Sequence, residues 1–253
     1  MNGIVLIGHG SVRSASGAAM IRLAARLRHQ TVAPVAEAGF LNYSRPSLAE
    51  CIEKCIRLGV DRLFVQPYFL IDGVYVQRDL ARAIARSAAR RTQVRVVVGR
   101  SFGDHRLMGA NALDRARAVD PSLGQGQSAT ALLLMAHGTP DAAANAPLDR
   151  IARRLAAASR YQQVMVSYLD CNEPAIPAAI DALAGSSVTR IVALPYFLHR
   201  GRHVRDDLPR LLNAARQRHV GLEILETAEL GYDLRLVSLI AERMRKEGIG
   251  DWK

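Results

Sequence analysis

The segment RLFVQPYFL at residues 62–70 returns as RIVALPYFL at residues 190–198, an offset of 128 residues. Working outward from it, the same offset carries His9-Gly10 onto His137-Gly138, Leu41 onto Leu169, and Pro46 onto Pro174. It also carries Gly73 onto Gly201 and Asp79-Leu80 onto Asp207-Leu208. A register held from His9 through Leu80 without insertion or deletion marks an internal duplication.

Each copy alternates apolar runs with amphipathic stretches, the pattern of a parallel sheet covered by helices. In the first copy the apolar runs predict strands at Gly3–Ile7, Val35–Leu41, Arg62–Tyr68 and Val94–Val98. In the second they predict strands at Ala131–Met135, Val164–Leu169, Arg190–Tyr196 and Leu222–Leu225. Helices are expected near Ser16–His29, Pro46–Leu58, Gln77–Arg91 and His105–Ala118, with Pro46 suited to a helix start because a first-turn N–H goes unused anyway. Asp120–Thr130 is rich in Gly, Gln and Ser, lacks hydrophobic periodicity, and reads as a linker. The expected fold class is therefore α/β, with two tandem duplicated domains, each a four-stranded parallel sheet flanked by helices. Residues 1–119 form the first repeat, 120–130 the linker and 131–253 the second repeat.

With 49% hydrophobic and 23% charged residues, the composition is that of a globular protein rather than a disordered one. No apolar run reaches the roughly 18 residues needed to cross a bilayer. The start MNGIVLIGHG has no basic segment before its short apolar stretch, so the reading places the chain in the cytoplasm. The three cysteines, Cys51, Cys55 and Cys171, form no CxxC pair, which argues against a disulfide framework or a zinc ribbon. Cys51 and Cys55, one helical turn apart, read as buried helix residues. The net charge of +11, mostly from arginine, favours anionic partners such as nucleic acid, a membrane surface or a polycarboxylate ligand. Zinc fingers, RNP aromatics and a compact basic run are all missing from the sequence, so nothing points to nucleic acid.

Ligands of open parallel sheets bind beyond the carboxyl ends of the strands, so the residues following each strand matter most. Three such positions recur at a spacing of 33 residues: His9, Asn42 and Tyr75 in the first copy, and His137, Asp170 and His203 in the second. Two imidazoles and a carboxylate suit a divalent Fe, Co, Ni or Zn ion and leave coordination positions open. Neutral imidazole is the ligand form, and with a pKa near 6.5 it can also accept protons from a bound substrate. His9, set between two glycines, equally fits a turn residue bonded to backbone. The loop from Leu198 to Arg205 places Arg200, Arg202 and Arg205 around His203, where guanidinium forks can pair with carboxylates. His199, in the same loop, reads either as an auxiliary base or as an exposed residue. His29, His105 and His219 read as helix-end or surface residues.

On these residues the sequence resembles the class II chelatases, specifically the sirohydrochlorin chelatase (CbiX/SirB) family. The matching elements of the first copy are Ile7-Gly8-His9-Gly10-Ser11, Phe40-Leu41 with Pro46-Ser47-Leu48, and Pro67 to Leu70 with Gly73 and Asp79. Those of the second are Ala136-His137-Gly138-Thr139, Tyr168-Leu169-Asp170 with Pro174, and Pro195 to Leu198 with Gly201, His203 and Asp207. The resemblance implies a lyase-type chelatase inserting Co²⁺ or Fe²⁺ into sirohydrochlorin, a polycarboxylate tetrapyrrole, on the route to cobalamin or siroheme. The metal is then a substrate and no tightly bound cofactor is implied. The partner is an anionic tetrapyrrole rather than nucleic acid or membrane, and the protein is a monomer or homodimer.

By the same resemblance His137 and His203 hold the incoming metal and take up pyrrole protons, and Asp170 assists as ligand or proton acceptor. His9 is a further catalytic candidate, while Arg200, Arg202, Arg205 and Tyr75 contact the substrate. Two departures stand out. The family usually has glutamate where this chain has Asn42 and Asp170, and two-domain bacterial members often keep their histidine pair in the first half, where this chain has Tyr75. The eroded first copy leaves a non-catalytic tetrapyrrole- or metal-binding carrier as the alternative. A histidine-nucleophile phosphotransfer enzyme would want a basic residue beside the nucleophile, but Gly8 and Ala136 precede the histidines.

Overall fold

Residues Ile4 to Ile7 and Leu63 to Val65 have no solvent contact on either face of their strands. A parallel strand covered on both sides reads as a continuous apolar run, which is why these segments carry the clearest sequence signal. The computed structural model describes residues 1–10, 17–73, 75–88, 94–121 and 128–249. The first copy contributes β1 (Asn2–Gly8), α1 (Ala18–His29), β2 (Val35–Phe40), α2 (Leu48–Arg57), β3 (Arg62–Pro67), α3 (Ala81–Ala88), β4 (Arg95–Val98) and α4 (Arg106–Val119). The second contributes β5 (Ser128–Ala136), α5 (Ala146–Ala158), β6 (Tyr161–Tyr168), α6 (Ile176–Ala184), β7 (Arg190–Pro195), α7 (Leu208–Arg218), β8 (Glu223–Glu226) and α8 (Arg235–Lys246).

The strands form two parallel sheets of order β2-β1-β3-β4 and β6-β5-β7-β8. The duplication extends to register: Ile7 faces Pro67 as Met135 faces Pro195, and Gly8 faces Phe40 as Ala136 faces Tyr168. In both sheets the chain moves first to one side of the opening strand and then to the other, so a topological switch lies beside the end of that strand.

In the first unit Val5, Ile7, Leu63 and Val65 pack on Leu48, Cys51, Ile52 and Cys55 of α2 and on Leu80. Burial pushes the Cys51 thiol up to about 12 and the Cys55 thiol to about 11, as expected of apolar surroundings. In the second unit Leu133, Met135, Ile191 and Ala193 pack on Ile176, Ile180 and Leu183 of α6 and on Leu208 and Leu212 of α7. Each fully buried Leu or Ile contributes about 1.5–3 kcal/mol relative to exposure.

Helix α2 starts later than the proline suggested. Ser47 is its N-cap, with its Oγ accepting from the Glu50 amide at 3.3 Å while a Glu50 carboxylate oxygen accepts from the Ser47 amide at 2.7 Å. This reciprocal capping box fixes the start, and Pro46 lies just outside it. The helix expected over Gln77–Arg91 opens instead as a π-helical turn, Tyr75–Leu80, which passes into α3. Strand β5 begins at Ser128 and β6 at Tyr161, both earlier than the apolar runs indicated. β5 opens on small or polar residues, and β6 is an edge strand, where exposed Gln162 and Gln163 are tolerated after buried Tyr161. Ser16, the end of the Gln77–Arg91 segment and residues 122–127 of the expected linker lie outside the described residues.

The chain divides into two compact units, Met1–Gly103 with Tyr232–Lys253, and Asp104–Gly231. The repeats 1–119 and 131–253 are boundaries of sequence, whereas the packing units are cut differently. Helix α4, encoded in the first repeat, belongs to the second unit, and α8, encoded in the second repeat, belongs to the first. Each helix is tied into its unit by an equivalent arginine. The Arg243 guanidinium donates to the carbonyl oxygens of Arg100, Ser101 (2.6 Å) and Phe102 (3.2 Å) and to Gln66 Oε1 (3.2 Å). Arg115, 128 residues earlier, donates to the carbonyl of Leu230 at 3.0 Å, and Leu230 is the repeat counterpart of Phe102. No helix among the described residues is long and apolar enough to cross a membrane.

Replacing Arg243 with Ala strands several carbonyls and the buried Gln66 amide. The expected loss is about 1–3 kcal/mol, read as a lower urea midpoint of the full chain. Ellman's reagent is expected to titrate one thiol quickly in the native protein, that of exposed Cys171, with Cys51 and Cys55 reacting only on unfolding.

Candidate metal centre

His137 follows β5, Asp170 follows β6, and His203 opens a π-helical turn, His203–Asp207, beyond β7. The first two are tied together by backbone. The Asp170 amide donates to the His137 carbonyl at 3.0 Å, extending the β5–β6 ladder past the strand ends, and Asn42 and His9 repeat the bond at 2.9 Å. The equal 33-residue spacing between His137 and Asp170 thus reflects a hydrogen-bonded register. That from Asp170 to His203 reflects loop length.

Gly138 makes this approach possible. It sits at a φ of +89°, and a Cβ there would lie 2.1 Å from the Asp170 carbonyl oxygen; Gly10, at +88°, is in the same position against Asn42. Below it, Asn172 Oδ1 accepts from the Thr139 amide (2.7 Å) and from the Asn145 side chain (2.9 Å), joining the loops after β5 and β6.

The two histidine rings of the second unit meet at a centroid distance of 5.0 Å, inclined by 74°. His137 Nδ1 lies 3.2 Å from the Gly138 carbonyl oxygen. A carbonyl only accepts, so Nδ1 carries a proton, and in the neutral ring the lone pair lies on Nε2. His203 Nδ1 lies 2.8 Å from Asp207 Oδ2. The bond to His203, with help from Arg202 and Arg210, holds the Asp207 carboxyl below the usual carboxylate range, so it is an ionised acceptor and the same tautomer follows for His203. Both Nε2 lone pairs are therefore available to an electrophile, and a carboxylate behind a ligating imidazole fixes its orientation and raises its basicity.

The structure brings His137 and His203 together and leaves Asp170 apart. The Asp170 Oδ1 accepts from the following Cys171 amide at 2.8 Å, and its carboxylate lines an open cleft formed by residues 168–173 and 175. Among the described residues no three His, Cys, Asp or Glu side chains converge as a metal site. Arg200, Arg202 and Arg205 are exposed, and among the described residues none forms an ion pair. Part of His199 reaches solvent, yet burial of the rest lowers its pKa, opposed by Glu229 and reinforced by His203.

In the first unit His9 Nδ1 faces the Gly10 carbonyl at 3.1 Å, as His137 does its own glycine. Its neighbours are aromatic instead of ligating: Tyr75 lies edge-on at 4.1 Å and Tyr43 near-parallel at 5.7 Å. Sequence reasoning gave no role to Asp207 or Tyr43. The signal for Asp207 was available, since Asp79 and Asp207 are repeat counterparts and Asp207 lies four residues beyond His203. Tyr43 had no such signal, because its repeat counterpart is Cys171.

The CbiX family model matches residues 3–119 and again 131–247. A sirohydrochlorin cobaltochelatase of Priestia megaterium is 24% identical over 98% of this chain and 80% of its own length. A sirohydrochlorin ferrochelatase of the same organism is 24% identical over 86% of this chain and 82% of its own. Among solved structures, SirB from Bacillus subtilis with Fe³⁺ superposes with a TM-score of 0.86 at 19% identity, over 100% of this chain and 99% of that one, and shares the fold.

A Gly138→Ala substitution puts a Cβ against the Asp170 carbonyl in a left-handed backbone, so a loss of more than about 1 kcal/mol is expected in denaturant unfolding. Gly221→Ala, with nothing within 4 Å, serves as the neutral comparison.

Proposed function

The chain belongs to the CbiX family of sirohydrochlorin chelatases, and on that premise we propose that it inserts Co²⁺ or Fe²⁺ into sirohydrochlorin or a closely related tetrapyrrole. The observation that carries the reading is the His137–His203 pair, 5.0 Å apart with both Nδ1 atoms engaged behind the rings. Two imidazoles binding one ion at about 2.1 Å per nitrogen bring their rings to about this separation.

In the proposed reaction the two Nε2 lone pairs hold the incoming ion, and Asp170, turning from the Cys171 amide, completes the set. As the ion passes to the macrocycle, its bonds to the two imidazoles and to Asp170 break, four bonds to the ring nitrogens form, and the two pyrrole N–H bonds break. The freed Nε2 atoms then accept the two departing pyrrole protons and pass them to solvent. The ionised Asp207 stabilises the imidazolium that forms on His203. Arg200, Arg202 and Arg205, all exposed, meet the carboxylates of the macrocycle. The net charge of +11 favours capture of such an anion.

Anaerobic incubation with sirohydrochlorin and Co²⁺ or Fe²⁺, followed by absorbance against the spontaneous rate, tests the reading. His137→Ala and His203→Ala are expected to fall to near the spontaneous rate, and wild-type rates in either would remove the site. Asp207→Asn is expected to lose about 10–100-fold in kcat/KM while keeping residual activity. Tight tetrapyrrole binding without turnover in the wild type would favour the carrier reading.

A further inference from the structure

The first unit keeps the backbone of the metal centre and has changed its chemistry. At the ends of β1, β2 and β3 it holds His9, Tyr43 and Tyr75, where the second unit holds His137, Cys171 and His203. His9 retains the Nδ1–carbonyl bond of His137, but no second imidazole or carboxylate accompanies it at the equivalent positions. Two near-parallel rings and one edge-on ring stand in that place. The His9 ring is inclined by 17° to Tyr43 and by 85° to Tyr75.

Aromatic residues make up only 5% of the chain, and most of the large hydrophobic ones are buried, yet Tyr43 is 71% exposed and Tyr75 47%. Tyr43 occupies a φ of +58°, which its repeat counterpart Cys171 shares at +65°, so the turn belongs to the common backbone and the side chain is what the first copy has changed. Packing in the core does not account for either tyrosine. The guanidinium groups nearest in sequence, Arg45 and Arg78, are paired with Glu50 and Asp79. The trio thus offers ring faces and hydroxyls.

We propose that His9, Tyr43 and Tyr75 form a stacking platform for the flat, conjugated face of a tetrapyrrole, a binding site that takes no metal. The proposal rests on the chelatase reading for the identity of its ligand. It assigns the first copy a positive role, holding a macrocycle by its π-face. Stacking favours a planar conjugated ring over a puckered, saturated-bridge ring bearing the same carboxylates.

The test uses the full-length, metal-free protein and uroporphyrin, an octacarboxylate porphyrin, followed through its Soret band. Its reduced porphyrinogen, which has the same carboxylates but neither planarity nor conjugation, is measured by competition. Wild type is expected to bind the porphyrin more tightly than the porphyrinogen. Tyr43→Ala/Tyr75→Ala is expected to raise the porphyrin Kd about tenfold or more and to leave the porphyrinogen Kd unchanged. Tyr43→Phe/Tyr75→Phe should stay within about twofold of wild type, because the ring face does the binding. Tyr43→Ala alone, altering a ring mostly in solvent, gives the same readout should the double variant not fold. Wild-type porphyrin affinity in the Ala variants would overturn the platform, as would equal losses in the Phe and Ala variants. Metal insertion at wild-type rate and wild-type tetrapyrrole KM in the Ala variants would overturn the platform and leave the chelatase reading standing. Failure of the wild type both to bind and to insert metal would overturn the two together.

Discussion

A parallel strand buried on both faces can offer only its ends to solvent, and β1, β3, β5 and β7 are such strands. Ile4 to Ile7 and Leu132 to Met135 touch no water, and a polar side chain in such a strand must find partners inside the protein, as Gln66 of β3 does with Arg100 and Arg243. Polar chemistry is driven to the loops beyond the carboxyl ends, where the backbone ladder still fixes spacing. The bonds from Asp170 to His137 and from Asn42 to His9 extend that ladder one step past the sheets. They bring the backbones of residues 33 apart side by side without any contact between the side chains having to form first. The glycines after each histidine are part of the same constraint, since the following loop passes where a Cβ would be.

On this shared backbone the two copies differ through a few substitutions. Histidine becomes tyrosine at 75, aspartate becomes asparagine at 42, and cysteine at 171 is tyrosine at 43. Each alters chemistry without altering register, because all three sit beyond the strand ends. In the second copy the bonds behind the rings are as important as the rings themselves. A backbone carbonyl behind His137 and a carboxylate behind His203 place both lone pairs on Nε2, and neither ring has to reorganise its tautomer before accepting an ion or a proton.

The exchanged helices show how duplication in sequence and unity in packing separate. α4 and α8 are repeat counterparts, and Arg115 and Arg243 make the same kind of bond to the loop after the fourth strand of a sheet. Each helix is spent on the sheet of the other repeat's sequence. The apolar face of a helix specifies that it must be covered and leaves open which of two similar sheets does so, since both present nearly the same surface.

Periodicity and repetition in the sequence determined two parallel four-stranded sheets, because buried parallel strands and a gapless duplication leave a strong linear signal. The same reading isolated His9, His137, Asp170 and His203 as post-strand residues, since position in the chain fixes position at a strand end. It extended less far where geometry depends on loops or on choices between equivalent surfaces. Helix exchange, the π turn that puts Asp207 behind His203, the turning of Asp170 toward Cys171, and the meeting of His9 with Tyr43 and Tyr75 were decided by tertiary structure. The first and last depend on distances between segments remote in sequence and the other two on hydrogen bonds within a single loop, and neither leaves a periodic trace in the chain.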